Sequence, residues 1–447
     1  MERLNNLKDD DLITLSYLYL YRAMNVEQLM RYVYKVDTSN PSGKRSRTMI
    51  VKRLMEQGVA IKTEYQPGSE ALQITNQGID IVRYTRDIPH EVFDENTKAV
   101  KRGYYTASDL NLNNRLINHQ VHLNQFMLEF EEEARSRELI WEYSDEKFLS
   151  QFVHIRPDGM ISMMGYDFFL EMDMATESSK QLIEKWEGYR NFTHTHEFSN
   201  KPRKIMTLFI CDNIVSKNKL KNRIKLVKNT IIDSGLINQM NHDFDIFVGS
   251  RKDCLRFIFD TIFLRVIDED LTVNTTLKYM NDIGMTISHG SSLIKLLQGE
   301  FYHYYIRELD KNKRVKTDGS IRKEFFVDFY TQPIMSVLHR MDWYKKKMAL
   351  YKDRLGRNIR LIIVVNDLNE VFPDLHLLGH RVFDQSYIYF LPLNRLDRSQ
   401  PIHNNLYHIQ YTGEVYQLAT TDLSRYNYAY TIKDKSIKFK EGRVNEN

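Results

Sequence analysis

The sequence predicts a mixed α/β protein in which a small N-terminal domain of helices and a hairpin precedes two larger α/β domains. Three observations lead to this prediction. The first ninety residues carry helix patterns followed by a hairpin pattern around Pro67-Gly68, and residues 120–210 alternate between helix and strand patterns. The pattern around Asp158 then returns around Asp318. We place the domains at residues 1–95, 96–250 and 251–447.

Composition narrows the class of protein. With 447 residues, of which 42% are hydrophobic and 12% aromatic, the chain can bury several cores. It has no apolar run near the roughly 18 residues that cross a membrane, and no apolar signal segment at its start, so we expect a cytoplasmic protein without membrane contact. Cys211 and Cys254 form no zinc-binding motif. Because the net charge is only +4, affinity for nucleic acid must come from local basic patches.

The N-terminal domain begins with helix patterns behind an acidic start, and Asn25 is suited to cap the second helix. A third helix pattern ends at Gly58, which supplies a C-terminal stop. Two short strands around Pro67-Gly68 and a helix that starts near Thr75 complete the pattern. Three helices and a hairpin resemble a winged helix, and "LQITNQGIDIV" resembles the end of the wing in bacterial winged-helix regulators.

This resemblance implies that the third helix enters the major groove of DNA. The segment has no acid between positions 38 and 55. We expect Arg47 and Thr48 to reach base edges and the remaining basic side chains to contact phosphates. The alternative is a solvated basic helix in a winged helix that contacts protein. The predicted DNA-binding residues are Lys44, Arg45, Arg47, Thr48, Lys52 and Arg53.

The second domain carries two acidic signatures, "RPDG" and "FFLEMD", on neighbouring strand patterns followed by a helix pattern. This order resembles the PD-(D/E)XK core of restriction endonucleases. The resemblance implies that Asp158 and Glu171 hold Mg²⁺, for which Mn²⁺ can substitute, and that the site cleaves phosphodiesters. The family's lysine two residues after the Glu is replaced by Asp173. We therefore assign Asp158, Glu171 and Asp173 as metal ligands and add Lys185, on the following helix, as the fourth catalytic residue.

Another interpretation of these acids stays open. Asp158 could be only a turn residue in "PDG", with Glu171 and Asp173 on the exposed side of an edge strand. The strand is apolar enough to be central, however, and a carboxylate on a central strand usually has a partner or a metal.

A second copy of the same pattern follows in the third domain. "TDG" corresponds to "PDG", and "FFVDFYT" corresponds to "FFLEMDM". Asp318 and Asp328 take the places of the acids, and Tyr330 takes the place of the lysine. Because tyrosine cannot replace the lysine, the sequence predicts an internal duplication whose second copy is degenerate and acts as a scaffold or a binding half.

A basic segment from Lys201 to Lys228 contains nine lysines and arginines and one acid. Its helical part has an apolar stripe, and we expect its basic residues on the other side: Lys217, Lys219, Lys221, Arg223, Lys225 and Lys228. The segment is either a solvated amphipathic helix or a surface that faces phosphates.

The whole arrangement resembles the replication-relaxation family of plasmids and other mobile elements, over about residues 9–213. The resemblance implies a protein that binds double-stranded DNA in replication or mobilisation, together with other replication or mobilisation proteins. Two functional classes follow from the acids. The chain is either a Mg²⁺-dependent nicking nuclease or a non-catalytic initiator or regulator in which the nuclease-like folds act as scaffold.

Overall fold

The computed structural model describes residues 7–433 except for 95–97, 150–151, 215, 242, 267–270, 290–303, 319–320, 323, 332–333, 345–358, 380–387, 401 and 419–430. Helices and strands both contribute to the fold, which confirms the mixed α/β class. The chain divides into two compact units. Unit 1 comprises residues 1–151 and 157–163, and unit 2 comprises residues 152–156 and 164–447. The predicted boundaries near residues 95 and 250 stay predictions.

Unit 1 is mostly helical and carries short antiparallel strands. Its helices are α1 Asp9–Tyr21, α2 Val26–Tyr32, α3 Pro41–Glu56, α4 Asn76–Thr85, α5 Ala107–Leu110, α6 Asn114–Ser136 and α7 Glu146–Leu149. Its strands are β1 Ala23–Asn25, β2 Ala60–Gln66, β3 Ser69–Ile74, β4 Glu91–Asp94, β5 Ala99–Arg102, β6 Glu142–Asp145 and β7 Gly159–Met163. Strands β1, β3 and β2 form one antiparallel sheet in that order, while β4 pairs with β5 and β6 with β7.

Local sequence signals explain where the helices of unit 1 begin. The side chain of Asn25 accepts a hydrogen bond from the backbone of Glu27 and caps α2, as the sequence predicts. Asn40 caps α3 in the same way, and Pro41 occupies the first helical position, where no backbone donor is needed. Thr75 caps α4. Gly58 has a φ of +69°, which an L side chain rarely adopts, and it ends α3 as predicted.

Unit 2 contains two sets of three parallel strands. Its helices are α8 Ser179–Phe192, α9 His196–Ser199, α10 Lys217–Asp233, α11 Arg251–Arg256, α12 Phe263–Val266, α13 Leu271–Asp282, α14 at residues 335–344 and α15 Leu368–Leu375. Its strands are β8 Tyr166–Asp173, β9 Lys204–Cys211, β10 Phe244–Ser250, β11 Met285–His289, β12 Tyr304–Glu308, β13 Thr317–Asp318, β14 Ile321–Arg322, β15 Glu324–Tyr330, β16 Arg360–Val365, β17 Ile388–Pro392, β18 Tyr407–Ile409, β19 Val415–Leu418 and β20 Thr431–Lys433.

The first parallel set is β8, β9 and β10, in which β9 pairs with both neighbours. Helix α8 connects β8 to β9, and α10 connects β9 to β10. All three strands are buried over most of their length, as expected for parallel strands that are covered by helices.

The second parallel set, β15, β16 and β17, lies within an eight-stranded sheet in the order β11-β12-β15-β16-β17-β18-β19-β20. Strand β15 contains "FFVDFY", and every residue in it is buried. The predicted helix between β15 and β16 is described at residues 335–344, and its predicted continuation at 345–358 lies outside the described residues.

One predicted strand is shorter than expected. The pattern "FVHIRPDGMI" suggests a continuous strand, but residues 152–158 have no strand structure and β7 begins at Gly159. Pro157 has no backbone N–H to donate to a neighbouring strand, which explains why pairing starts only after it. Among the residues that the structure describes, every helix is too short or too polar to span a lipid bilayer.

Candidate functional site

Strand β8 presents two buried carboxylates on one face. Glu171 and Asp173 are two residues apart, so their side chains point to the same side of the strand. Glu171 is 2% exposed and Asp173 is 1% exposed. A carboxylate at this depth requires a hydrogen-bonded or charged partner, because burial of an unpaired charge costs several kcal/mol, of the order of 3–5. The partners come from α8 and α10.

The Glu171 carboxylate is held by two side chains of α8. Lys185 Nζ lies 2.9 Å from Oε2, and the Tyr189 hydroxyl donates to Oε1 at 2.6 Å. Lys185 and Tyr189 are four residues apart and therefore lie on the same side of the helix. Lys185 Nζ also lies 3.0 Å from Oε1 of Glu177. The lysine predicted to serve the acidic site is thus next to Glu171, and it bridges two carboxylates.

The Asp173 carboxylate is held by Arg223 of α10. Both Nε and Nη2 of the guanidinium donate to Asp173 at 2.7 Å, and the backbone N–H of Ala175 donates at 2.9 Å. A third donor of Arg223, Nη1, reaches the backbone oxygen of Glu177 at 2.7 Å. This bidentate geometry is the strong form of an arginine–carboxylate pair.

Arg223 and Tyr189 were not assigned to the site from the sequence. The prediction that Arg223 and Lys228 lie on the exposed side of α10 is wrong, because both are buried. Lys228 Nζ lies 2.6 Å from Oδ2 of Asp374. The buried side of α10 is wider than its hydrophobic residues alone indicate. It also includes Arg223 and Lys228, each of which has a carboxylate partner. A buried acid two residues after Glu171 was the available signal that such a cation is required.

Asp158 belongs to unit 1 and follows Pro157 just before β7. Its carboxylate Oδ2 lies 3.3 Å from Nε2 of His119 on α6. Both side chains are partly exposed. Within unit 1, Asp158 therefore has a histidine of a neighbouring helix beside it.

The described residues do not fit a magnesium site as they are arranged. Each carboxylate oxygen of Glu171 and Asp173 already accepts a hydrogen bond from a side chain of the protein. A cation bound to these oxygens would lie beside the positive charges of Lys185 and Arg223, which repel it. Within the described part of the chain, no three His, Cys, Asp or Glu side chains are grouped closely enough to hold a metal ion. The magnesium ion and the four assigned catalytic residues stay predictions.

A comparable ion pair occurs in the second parallel set. Asp328 on β15 is fully buried, and Arg340 of α14 donates to its two oxygens at 2.5 and 3.0 Å. Tyr330, two residues further on, donates to Asp374 of α15, which also holds Lys228. Burial and the Asp374 charge raise the pKa of the Tyr330 hydroxyl well above its ordinary value. Tyr330 therefore acts as a neutral donor in a buried cluster.

The basic helix α3 in unit 1 separates its polar residues into two groups. Ile50, Val51 and Leu54 are buried and fix its inner side. The side of α3 that faces away from these three residues is exposed. It spans about 140° of the helix circumference, at 100° per residue. We call it the α3 outer face, and its exposed residues are Pro41, Lys44, Arg45, Thr48, Met49, Lys52, Met55 and Glu56.

The two remaining predicted DNA-binding residues, Arg47 and Arg53, have partners inside unit 1. Arg53 donates to both oxygens of Asp11 on α1, at 3.0 and 2.6 Å. Arg47 lies 3.0 Å from Glu27 on α2 and 3.2 Å from Glu70 on β3. These two arginines thus connect α3 to its neighbours, whereas four of the six predicted residues lie on the α3 outer face.

Comparison with known proteins supports the resemblance seen in the sequence. Searches of curated proteins and of solved structures return no match. The model of the replication-relaxation family matches residues 15–208. This range contains α3, β8 and α8 but ends before α10 and the second parallel set. The match confirms the predicted resemblance, and residues 15–208 are similar to the replication-relaxation family.

Proposed function

We propose that this protein binds double-stranded DNA and acts in the replication or mobilisation of a plasmid or other mobile element. The family match supports the replication context. The DNA contact is assigned to the α3 outer face, where Lys44, Arg45 and Lys52 provide three exposed positive charges. The proposal needs no catalytic step, because gripping and positioning DNA is sufficient for an initiator or a regulator.

The order and pairing of the elements at the start of unit 1 support this proposal, in which they form a winged helix. The elements follow the order α1, β1, α2, α3, β2, β3, and the strands pair in the order β1-β3-β2. The hairpin β2–β3 then corresponds to the wing, with Pro67-Gly68 at its tip, and α3 corresponds to the helix that enters the major groove.

The observation that carries the proposal is the composition of the α3 outer face. Lys44 and Arg45 have no ion-pair partner among the described residues, and Lys52 has only Glu56, four residues away on the same helix at 3.5 Å. Lysine and arginine suit phosphate contacts, while the Thr48 hydroxyl and the Met49 side chain can meet base edges and thymine methyl groups. Arg47 and Arg53 hold α3 in place and do not read DNA.

Selection from random duplexes tests this assignment. The full-length chain should enrich a defined sequence. Thr48→Ala and Met49→Ala should each relax the preference at particular base pairs, whereas Lys52→Gln should weaken binding to all sequences about equally. Enrichment that is the same for Thr48→Ala, Met49→Ala and wild type would show that α3 does not read the sequence.

The two parallel sets of unit 2 are, in this proposal, copies of one core. Glu171 and Asp328 both stand on the first strand of a set and both bind a cation of the next helix, 14 and 12 residues further along the chain. In each set the second strand runs parallel to the first, and Glu171 and Asp328 lie opposite Phe209 and Ile363. Both cores therefore have a buried acid paired with a cation of the next helix. A core that only binds DNA would keep this pair.

A Mg²⁺-dependent nicking activity is the second candidate. The observation that favours it is the position of Lys185, which reaches Glu171 from α8 and could replace the family's missing lysine. Supercoiled plasmid incubated with Mg²⁺ or Mn²⁺ tests this activity. Nicking by wild type that is lost in both Asp158→Ala and Glu171→Gln would establish the nuclease, whereas intact plasmid in all cases supports the non-catalytic class.

A further inference from the structure

Helix α10 of unit 2 exposes an uninterrupted cationic surface. Before the exposed Asp233 at its C-terminal end, its exposed residues are only lysine and asparagine. Three lysines, Lys217, Lys221 and Lys225, follow one another at intervals of four residues and form a row along the helix. With a rise of about 1.5 Å per residue, this row is about 12 Å long.

The fold gives these lysines no compensating charge. Lys217, Lys219, Lys221 and Lys225 have no ion pair with any described residue. The neighbouring helix α8 differs, since its exposed Lys180 lies 3.9 Å from Glu184. Like charges four residues apart destabilise a helix by about 0.2–0.5 kcal/mol per pair. The row therefore costs stability, and no contact in the described fold offsets that cost.

A cavity of about 610 Å³ opens after the ends of β8 and β9, and Lys219 and Asn222 of α10 line it on a different side of the helix from the row. Its polar lining consists of Asn213, Ser216, Lys219, Asn222 and Arg223, and no carboxylate lines it. Arg223 is already occupied by Asp173, so Lys219, the Ser216 hydroxyl and the two asparagine amides are the donors that the cavity offers to a ligand. A cavity at the carboxyl ends of parallel strands that carries these donors and no carboxylate is suited to an anion.

We propose that α10 and this cavity form a second DNA-binding surface, which contacts the phosphate backbone independently of sequence. This inference rests on the proposed function and extends it from unit 1 to unit 2. A row of about 12 Å suits a repeating anion better than a single phosphate. Because neither the exposed residues of α10 nor the cavity lining include an aromatic side chain, the contact lacks a stacking platform for bases.

The test compares three variants of the full-length chain, each with three positive charges removed. The α10 variant is Lys217→Gln, Lys221→Gln and Lys225→Gln, and the α3 variant is Lys44→Gln, Arg45→Gln and Lys52→Gln. The matched control removes exposed charges elsewhere in unit 2, through Lys311→Gln, Lys313→Gln and Arg314→Gln. Fluorescence anisotropy measures binding to a duplex and to a single strand of the same length at several salt concentrations.

The α10 variant should raise the Kd for duplex about tenfold or more at low salt and should lower the salt slope by about 2–3 units, which is about 0.9 per lost phosphate contact. The control should remain close to wild type. If the α10 variant loses affinity for the single strand but not for the duplex, the phosphates that α10 contacts belong to single-stranded DNA. An α10 variant that matches the control for both DNAs overturns the inference, while an effect of the α3 variant in the same series leaves the proposed function standing.

A poly-glutamate chain serves as the competing polyanion. If wild type binds it as tightly as DNA and the α10 variant loses both to the same extent, the surface recognises acidic polypeptide, and the DNA assignment is overturned. Asn222→Asp adds a single carboxylate to the cavity and should weaken DNA binding in the same direction. An unchanged Kd for Asn222→Asp would remove the cavity from the surface.

Discussion

Arg223 on α10 donates two hydrogen bonds of 2.7 Å to the Asp173 carboxylate on β8, and both side chains are buried. The pair joins a helix to a strand end, on the side of α10 opposite Lys221 and Lys225. A buried pair of this geometry destabilises the fold when one partner is removed, because the other charge then has no compensation.

Arg223→Gln should therefore lower the free energy of unfolding by about 3–5 kcal/mol. Asp173→Asn should lower it as well, while the double variant should lose less than the sum of the two. Urea unfolding of the four proteins gives the coupling. Additive losses would mean that the two side chains do not stabilise each other.

Arg53 of α3 is predicted to act in folding and not in DNA binding. Its partner Asp11 is fully buried, so Arg53→Gln should destabilise the chain by about 3 kcal/mol or more and leave the salt slope of DNA binding unchanged. Lys44→Gln, on the exposed side of the same helix, should leave stability unchanged and lower the salt slope of DNA binding. Thermal unfolding and anisotropy on both variants separate the roles, and a reduced salt slope for folded Arg53→Gln would return this arginine to the DNA interface.

Asp245 on β10 should make stability depend on pH. Burial raises the pKa of its carboxyl to about 6, although Ser336 and the backbone of Ile246 donate to it. Since the folded pKa exceeds the unfolded value of 3.8, the contribution is greatest below about pH 4 and is lost as pH rises through about 6. Relative to Asp245→Asn, wild type should lose about 3 kcal/mol between pH 4 and 7. Parallel curves for the two proteins would contradict this assignment.

The metal prediction has a direct competitor in Lys185. Because its ammonium group occupies Oε2 of Glu171, Mn²⁺ used as a probe should bind wild type weakly, and Lys185→Gln should strengthen binding by removing the competing charge. Calorimetry on wild type, Lys185→Gln and the double variant with Glu171→Gln measures this. Tight Mn²⁺ binding by wild type that the single variant Glu171→Gln abolishes would contradict this prediction. It would show that Mn²⁺ binds Glu171 although Lys185 is present.

Much of the fold follows from short-range signals. The caps at Asn25 and Thr75, the stop at Gly58 and the strand pattern of "YDFFLEMD" all predict elements that the structure contains. These signals work because they depend on neighbours within a few residues. The failure at residues 152–158 also has a local cause, since Pro157 ends strand pairing there.

The partners of charged residues could not be predicted in the same way. Nothing local distinguishes Arg223 from Lys225, yet one is buried on Asp173 and the other is exposed. In α3, likewise, Arg47 pairs with Glu27 and Glu70, whereas Arg45 is exposed. Only the packing of distant elements decides which cation faces a carboxylate, so a basic pattern overestimates the charges that are free for a ligand.

The central claim, DNA binding through the α3 outer face, is tested most directly by the salt dependence of duplex binding. We predict that Lys44→Gln, Arg45→Gln and Lys52→Gln together lower the slope of log K against log salt by about 2–3 units without reducing the unfolding temperature. The matched charge control at Lys311, Lys313 and Arg314 should leave the slope unchanged. A folded triple α3 variant that binds duplex DNA like wild type at every salt concentration would contradict the claim.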